Sequence, residues 1–271
     1  DSVVLSRLGA DVRRSLLVPV VCMQTIAANL GSMLTPIGNP QNLYLYGKSG
    51  MSIEGFVLLM LPYTLISLLL LLAWAALVCR KASAALSVDE LVSSSASQGD
   101  QKIILLYLVL FAVCLLSVIR VLPYGIAFAA VLVCALFADP RTLRAVDYSL
   151  LLTFVAFFIF IGNLGRIPAF SGWLQEFLTG REVLVAVLAS QVTSNVPAAL
   201  LLSGFTAETQ ALIIGTNLGG LGTLIASMAS LISYRQIARE LPQGKKQYFG
   251  LFTLSNLIFL ALLLGVWFLL R

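Results

Sequence analysis

Eight apolar stretches account for most of this chain: Leu16–Leu34, Ile53–Val78, Ile103–Ile119, Val121–Phe137, Tyr148–Leu164, Val183–Phe205, Ala207–Tyr234 and Tyr248–Leu270. A helix rises about 1.5 Å per residue, so about 20 apolar residues cross the hydrocarbon of a bilayer. The pattern predicts an all-α polytopic membrane protein. Composition points the same way, with 59% hydrophobic residues, 11% charged residues and a mean hydropathy of +0.98. Globular domains carry about 25% charged residues, and a soluble domain this apolar could not cover its own surface. A soluble enzyme, a disordered chain and a nucleic-acid binder are excluded. The net charge of +5 needs no acidic partner, because cytoplasmic loops of membrane proteins collect Lys and Arg.

The chain has no His and four isolated Cys (Cys22, Cys79, Cys114, Cys134). Imidazole metal sites and His proton relays are thereby removed. Without a C-x-x-C spacing the cysteines read as apolar packing residues. No cofactor and no metal are expected.

The sixth stretch is interrupted at Thr193-Ser194-Asn195-Val196-Pro197. Proline removes an N–H and disfavours helix at the residue before it. The stretch is either one crossing helix or a re-entrant hairpin over 183–205. With the hairpin, 12 Lys and Arg fall on the N-terminal side and 5 opposite; with a full crossing the split is 9 to 8. The positive-inside rule favours the hairpin. Seven crossings and one hairpin follow, with the N-terminus inside and the C-terminus outside. Arg80 to Lys102 reads as a Ser-rich solvated cytoplasmic linker. Trp74 and Trp267 fall near span ends, and Gly165–Gly180 reads as a short interfacial helix or a simple connector.

An internal repeat sharpens the picture. Asn29–Ile37 (NLGSMLTPI) aligns with Asn217–Ile225 (NLGGLGTLI) at an offset of 188, with five of nine positions identical. The two helices run in opposite directions, so the copies are inverted, as in many secondary transporters. The halves would be residues 1–79 and 103–271, joined by 80–102, with a broken helix over 207–234 and a last helix over 248–270. Broken backbone at mid-membrane is costly unless it lines a cavity or is buried in protein. Gly31, Pro36, Gly38, Pro40, Pro197, Gly219, Gly220 and Gly222 are the expected unwinding residues. Asn29, Ser32, Thr35, Asn39, Ser194, Asn195, Thr216, Asn217 and Thr223 are assigned to one shared, uncharged site. Rival readings stand beside this one. Gly215 and Gly219 form a G-x-x-x-G that could simply pack helices, and Asn39–Asn42 could be an ordinary turn. Glu54, Asp147, Glu176, Glu182 and Glu208 sit near span ends. With no clear mid-membrane carboxylate, coupling leans to Na⁺ or to passive exchange.

Three strings then carry a resemblance: TIAANLGSMLTPIGNPQNL from Thr25, TSNVPAALLL from Thr193 and GTNLGGLGTLIASMASLISYR from Gly215. They resemble the unwound-helix and hairpin-tip signatures of the arsenite permease and citrate transporter-like group of the ion transporter superfamily, which also holds sodium–dicarboxylate symporters and a type of Na⁺/H⁺ antiporter. The resemblance implies two inverted halves, each with a re-entrant hairpin and an unwound helix. It also implies a homodimer with elevator-like movement, in the cytoplasmic (inner) membrane. Ser194 and Asn195 would be hairpin-tip ligands; Asn29, Thr35, Asn39, Asn217 and Thr223 would be unwound-helix ligands.

The matching spacing in the first half lands on Arg7, which is no hairpin tip, so the first hairpin is expected upstream of Asp1. Val196 stands where the dicarboxylate branch has Thr, and Asn39 where antiporter relatives often carry an acid. The expectation is a secondary active transporter of a small anion or oxyanion, arsenite-, citrate- or dicarboxylate-like. A Na⁺/H⁺ antiporter is one alternative and a channel or structural subunit is another. An intramembrane enzyme is not expected, for want of an acid–base pair.

Overall fold

The computed structural model describes residues 10–82 and 101–271. Their regular structure is all helical, without a strand among them. The helices are α1 (Ala10–Gly31), α2 (Pro40–Ser49), α3 (Ile53–Ala82), α4 (Gln101–Val118), α5 (Tyr124–Ala138), α6 (Pro140–Arg144), α7 (Tyr148–Leu164), α8 (Pro168–Leu178), α9 (Glu182–Thr193), α10 (Asn195–Leu202), α11 (Thr209–Leu218), α12 (Met228–Glu240) and α13 (Lys245–Leu270). The middle of the expected Arg80–Lys102 linker, and Arg7, lie outside the described residues. The linker's ends are helical: α3 runs on to Ala82 and α4 begins at Gln101.

Two compact units are present. One comprises residues 92–156 and the other the rest of the chain. Among the described residues the boundary between the units falls inside α7. In the smaller unit α4 packs on α5, and α5 on α6. Tyr107 of α4 donates to the Asp139 carboxylate at 2.9 Å, and Thr142 of α6 does so at 2.8 Å.

The larger unit holds the interruptions. α1 ends at Gly31, a 3-10 turn covers Ser32–Leu34, and α2 restarts at Pro40. α11 ends at Leu218 and α12 restarts at Met228. Side-chain contacts fix the directions. Thr25 meets Ser233 and Asn29 meets Ser230, so α1 and α12 run antiparallel. Asn39 and Asn42 meet Asn217, while Lys48 near the far end of α2, and Tyr44 about one turn into it, meet Ser203 just past the end of α10. The two broken helices therefore traverse the unit in opposite senses, and their interruptions abut. A cluster of Leu17, Val18, Cys22, Ile237, Tyr248 and Phe252 locks α1, α12 and α13 together on one side of that junction.

The expected hairpin over 183–205 is α9 and α10, which pack on each other and on α11. The turn is a single residue, Ser194, with φ 75° and ψ 154°. Pro197 is not the breaker. It sits in the first turn of α10, where its missing N–H is one the helix leaves unpaired anyway. Pro40 likewise starts α2 rather than unwinding α1, beside Asn39, whose side chain caps α2 by accepting from the Asn42 N–H. Gly31 is helical, at φ −69° and ψ −36°.

Seven crossings were expected. By length and composition, four single helices among the described residues qualify, and the pair α7–α8, bent by 100°, makes a fifth if counted as one span. The difference falls on α5, whose 15 residues reach about 22 Å at 1.5 Å each, and on α11–α12, which the interruption divides. The segment Gly165–Gly180 does contain a helix, α8. Only Leu174 and Leu178 of α8 are buried, while Trp173 and Phe177 stack with each other at 5.6 Å. Trp74 packs against the interior cluster, and Trp267 is buried with Arg271 over its ring.

Candidate functional site

The junction is built by six helix ends. α2, α10 and α12 begin there; α1, α9 and α11 stop there. Helix starts present N–H groups and partial positive charge, and helix stops present carbonyls and partial negative charge. Glycines let the backbones approach. A Cβ on Gly219 would lie 2.6 Å from Ser190 Oγ, one on Gly220 would lie 3.0 Å from Asn195 Nδ2, and one on Gly38 would overlap the Ser32 carbonyl. Gly222 has φ +110°, a conformation left to glycine.

Uncharged polar groups line these ends and bridge the two interruptions. Asn39 Nδ2 donates to Asn217 Oδ1 at 3.2 Å and to Ser32 Oγ at 3.3 Å. Asn217 Nδ2 donates to Asn42 Oδ1 at 2.6 Å and to the Ile213 carbonyl at 2.7 Å. Ser32 Oγ donates to the Asn29 carbonyl. Asn29 Nδ2 reaches the Gly220 carbonyl and Ser230 Oγ, and its Oδ1 accepts from Ser227 Oγ at 2.7 Å. The hairpin tip joins through Asn195 N–H, which donates to the Ala226 carbonyl at 2.9 Å, with Ser194 Oγ reaching the same oxygen.

The nine assigned residues thus fall in one region, but in different circumstances. Asn29, Ser32, Asn39 and Ser194 are half-buried at the junction, and Asn195 beside them is buried. Asn195 Nδ2 has no hydrogen-bond partner among the described residues. Thr35 contributes its carbonyl, which accepts from Gly38 N–H and Asn42 Nδ2. Asn217 is buried with both side-chain atoms engaged, so it joins the two interruptions as a strut. Thr216 is wholly buried and donates back to the Leu212 carbonyl. Thr223 is exposed and faces Gln191.

Four residues of the junction are absent from the sequence-based set: Asn42, Gln191, Ser227 and Ser230. Asn42 is fully buried and binds the Met33 and Thr35 carbonyls. Its signal is present in the GNPQN string, where the second Asn reads only as part of a turn. Gln191 lies two residues before the polar run and Ser227 and Ser230 lie after the repeat, so neither the break nor the alignment reached them. Among the described residues no group of three or more Cys, Asp or Glu is placed to hold a metal.

Comparison with known proteins identifies the lineage of this arrangement. A family described as "Citrate transporter" matches residues 3–213. The chain belongs to the citrate transporter family. Within the curated proteins it is similar to "Inner membrane protein YbiR" of Escherichia coli (strain K12), with 34% identity over 224 residues, covering 80% of this chain and 58% of that protein. It is also similar to "Uncharacterized transporter MJ0456" of Methanocaldococcus jannaschii, with 32% identity over 216 residues, covering 80% of this chain and 57% of that protein. The chain therefore spans less than three-fifths of the length of these relatives. For a citrate transporter family chain, the apolar helices read as those of a multi-pass membrane protein.

Proposed function

We propose that this chain forms the larger part of a secondary active transporter that carries a small anion or oxyanion, of arsenite, citrate or dicarboxylate type, driven by Na⁺. The observation that carries this reading is the meeting of two oppositely directed helix interruptions at uncharged polar groups inside the larger unit. Helix starts at α2, α10 and α12 suit an anion, and the stops at α1, α9 and α11 suit a cation. Asn195 Nδ2 offers a donor to the solute. The chain acts in the inner membrane with its C-terminus outside, and as a homodimer. Asn29, Ser32, Thr35, Asn39, Ser194 and Asn195 face the solute, with Thr216, Asn217 and Thr223 holding the frame.

The test is flux into proteoliposomes containing the full-length protein, preceded by a thermal-shift screen with arsenite, citrate, dicarboxylates, sulfate and Na⁺, since a bound ligand raises stability by mass action. One anion is expected to raise the melting temperature and to enter faster under an inward Na⁺ gradient. Asn195→Ala is expected to lower that flux at least tenfold without changing expression. Saturable H⁺-coupled Na⁺ movement with no anion flux would replace this reading with an antiporter.

A further inference from the structure

Gln191 sits in the last turn of α9, just before the hairpin tip. Its carboxamide nitrogen lies within hydrogen-bond distance of three backbone carbonyl oxygens: Leu221 at 2.9 Å, Gly219 at 3.0 Å and Val187 at 3.1 Å. An amide nitrogen carries two protons, so three acceptors converge on a group with two donors. The other end of the side chain fixes this orientation. The Thr223 N–H can only donate, and it reaches Gln191 Oε1 at 2.9 Å, which leaves the nitrogen facing the carbonyls. The Thr223 hydroxyl donates to the Gln191 carbonyl at 3.0 Å and closes a ring. The backbone is shaped around this contact. Gly222 holds φ +110°, and a Cβ there would overlap Gln191 Oε1.

Carbonyls turned out of an unwound membrane helix toward one point are the usual means of holding a bare monovalent cation. Here the positive charge at that point is the N–H dipole of a side chain. We propose that the Gln191 carboxamide stands in for a cation at the second helix interruption: it takes the Gly219 and Leu221 carbonyls, keeps the segment unwound without an ion, and fastens the hairpin to it. Any coupling Na⁺ then binds elsewhere at the junction. The significance of this rests on the transport reading above, but its test does not. Gln191 is a positioning residue, and removing its amide hands the carbonyls back to an ion.

The experiment uses the purified full-length protein and Na⁺ alone, with no transported solute, so a failure to find flux has no bearing on it. Melting temperatures are measured at pH 8 in NaCl and in choline chloride of equal ionic strength, for the parent, Gln191→Ala and Gln191→Glu. Alanine leaves the Gly219 and Leu221 carbonyls without this donor, the Val187 carbonyl keeping its helical N–H, and glutamate sets a carboxylate against them. Both variants are expected to be less stable than the parent in choline and to regain about 2–4 °C more than the parent in Na⁺. A variant that folds only in Na⁺ supports the proposal equally. Na⁺ responses equal to the parent's in both variants overturn it. A second measurement needs no variant: amide hydrogen exchange of residues 219–223 in the parent. Equal protection in the two salts is expected. Na⁺-dependent protection confined to that segment overturns the proposal, because an ion there must displace the Gln191 amide.

Discussion

Asn195 and Asn217 carry the same side chain at the same junction and are bound to fail differently when shortened. Asn217 joins Asn39 and Asn42 across the two interruptions and is buried. Asn217→Ala strands a donor and an acceptor, at about 1–3 kcal/mol for each. Asn195 keeps its nitrogen uncommitted. Its replacement by Ala is expected to leave the melting temperature within about 2 °C of the parent while abolishing flux, and Asn217→Ala to lower the melting temperature by several degrees. Thermal unfolding in detergent, run beside the flux assay, checks both; equal destabilisation by the two variants would remove the distinction. Residue type and position were legible in the sequence here, but role was not. An asparagine reads the same whether its amide is spent on protein or held open, and only the three-dimensional neighbours decide. The glycines teach the same lesson. Gly31 and Gly219 match in the repeat, yet a Cβ on Gly219 would press against Ser190 while one on Gly31 would meet nothing within 4 Å outside its own helix.

Elements were more legible than residues. The apolar run Tyr148–Leu164 and the helix α7 share their bounds, since an uninterrupted apolar run ends where polar residues and glycine begin. The hairpin followed from charge counting and is present as α9 and α10. Its turn was less legible, because the sequence advertises Pro197 whereas the chain reverses at Ser194, whose positive φ has no sequence signature in a serine. Nor could apolar length reveal that α4, α5 and α6 are tied by Tyr107, Asp139 and Thr142. Hydrogen bonds from Thr142, and then from Tyr107, hold the Asp139 carboxyl below its ordinary range. Its depressed folded value means that the contribution is present above the unfolded pKa of about 3.9 and is lost as pH falls through the folded one. Thr142→Val is expected to move this carboxyl up toward its ordinary value, read by carboxyl ¹³C titration. An unchanged midpoint would mean that the Thr142 bond does not form in solution.

For the whole molecule, the inverted arrangement of the two broken helices was foreseen from nine aligned residues and a charge count, because direction in a membrane is set by where Lys and Arg are left. The same reasoning puts Lys245 and Lys246 inside and Arg271 outside. In a background without native cysteines, Lys246→Cys is expected to react with an impermeant maleimide only from the cytoplasmic face of sealed vesicles, and Arg271→Cys only from the other. Labelling of both from one face would dismantle the orientation. At the far end of α2 the Lys48 ammonium donates to the Ser203 carbonyl, and from mid-helix Tyr44 shares a hydrogen bond with the Ser203 hydroxyl, while the near end is moored through Asn39 and Asn42. A rod pinned at both ends has no hinge of its own. On the transport reading proposed above, α2, α10 and α11 would move as a single carriage, and the sliding surface would lie outside them.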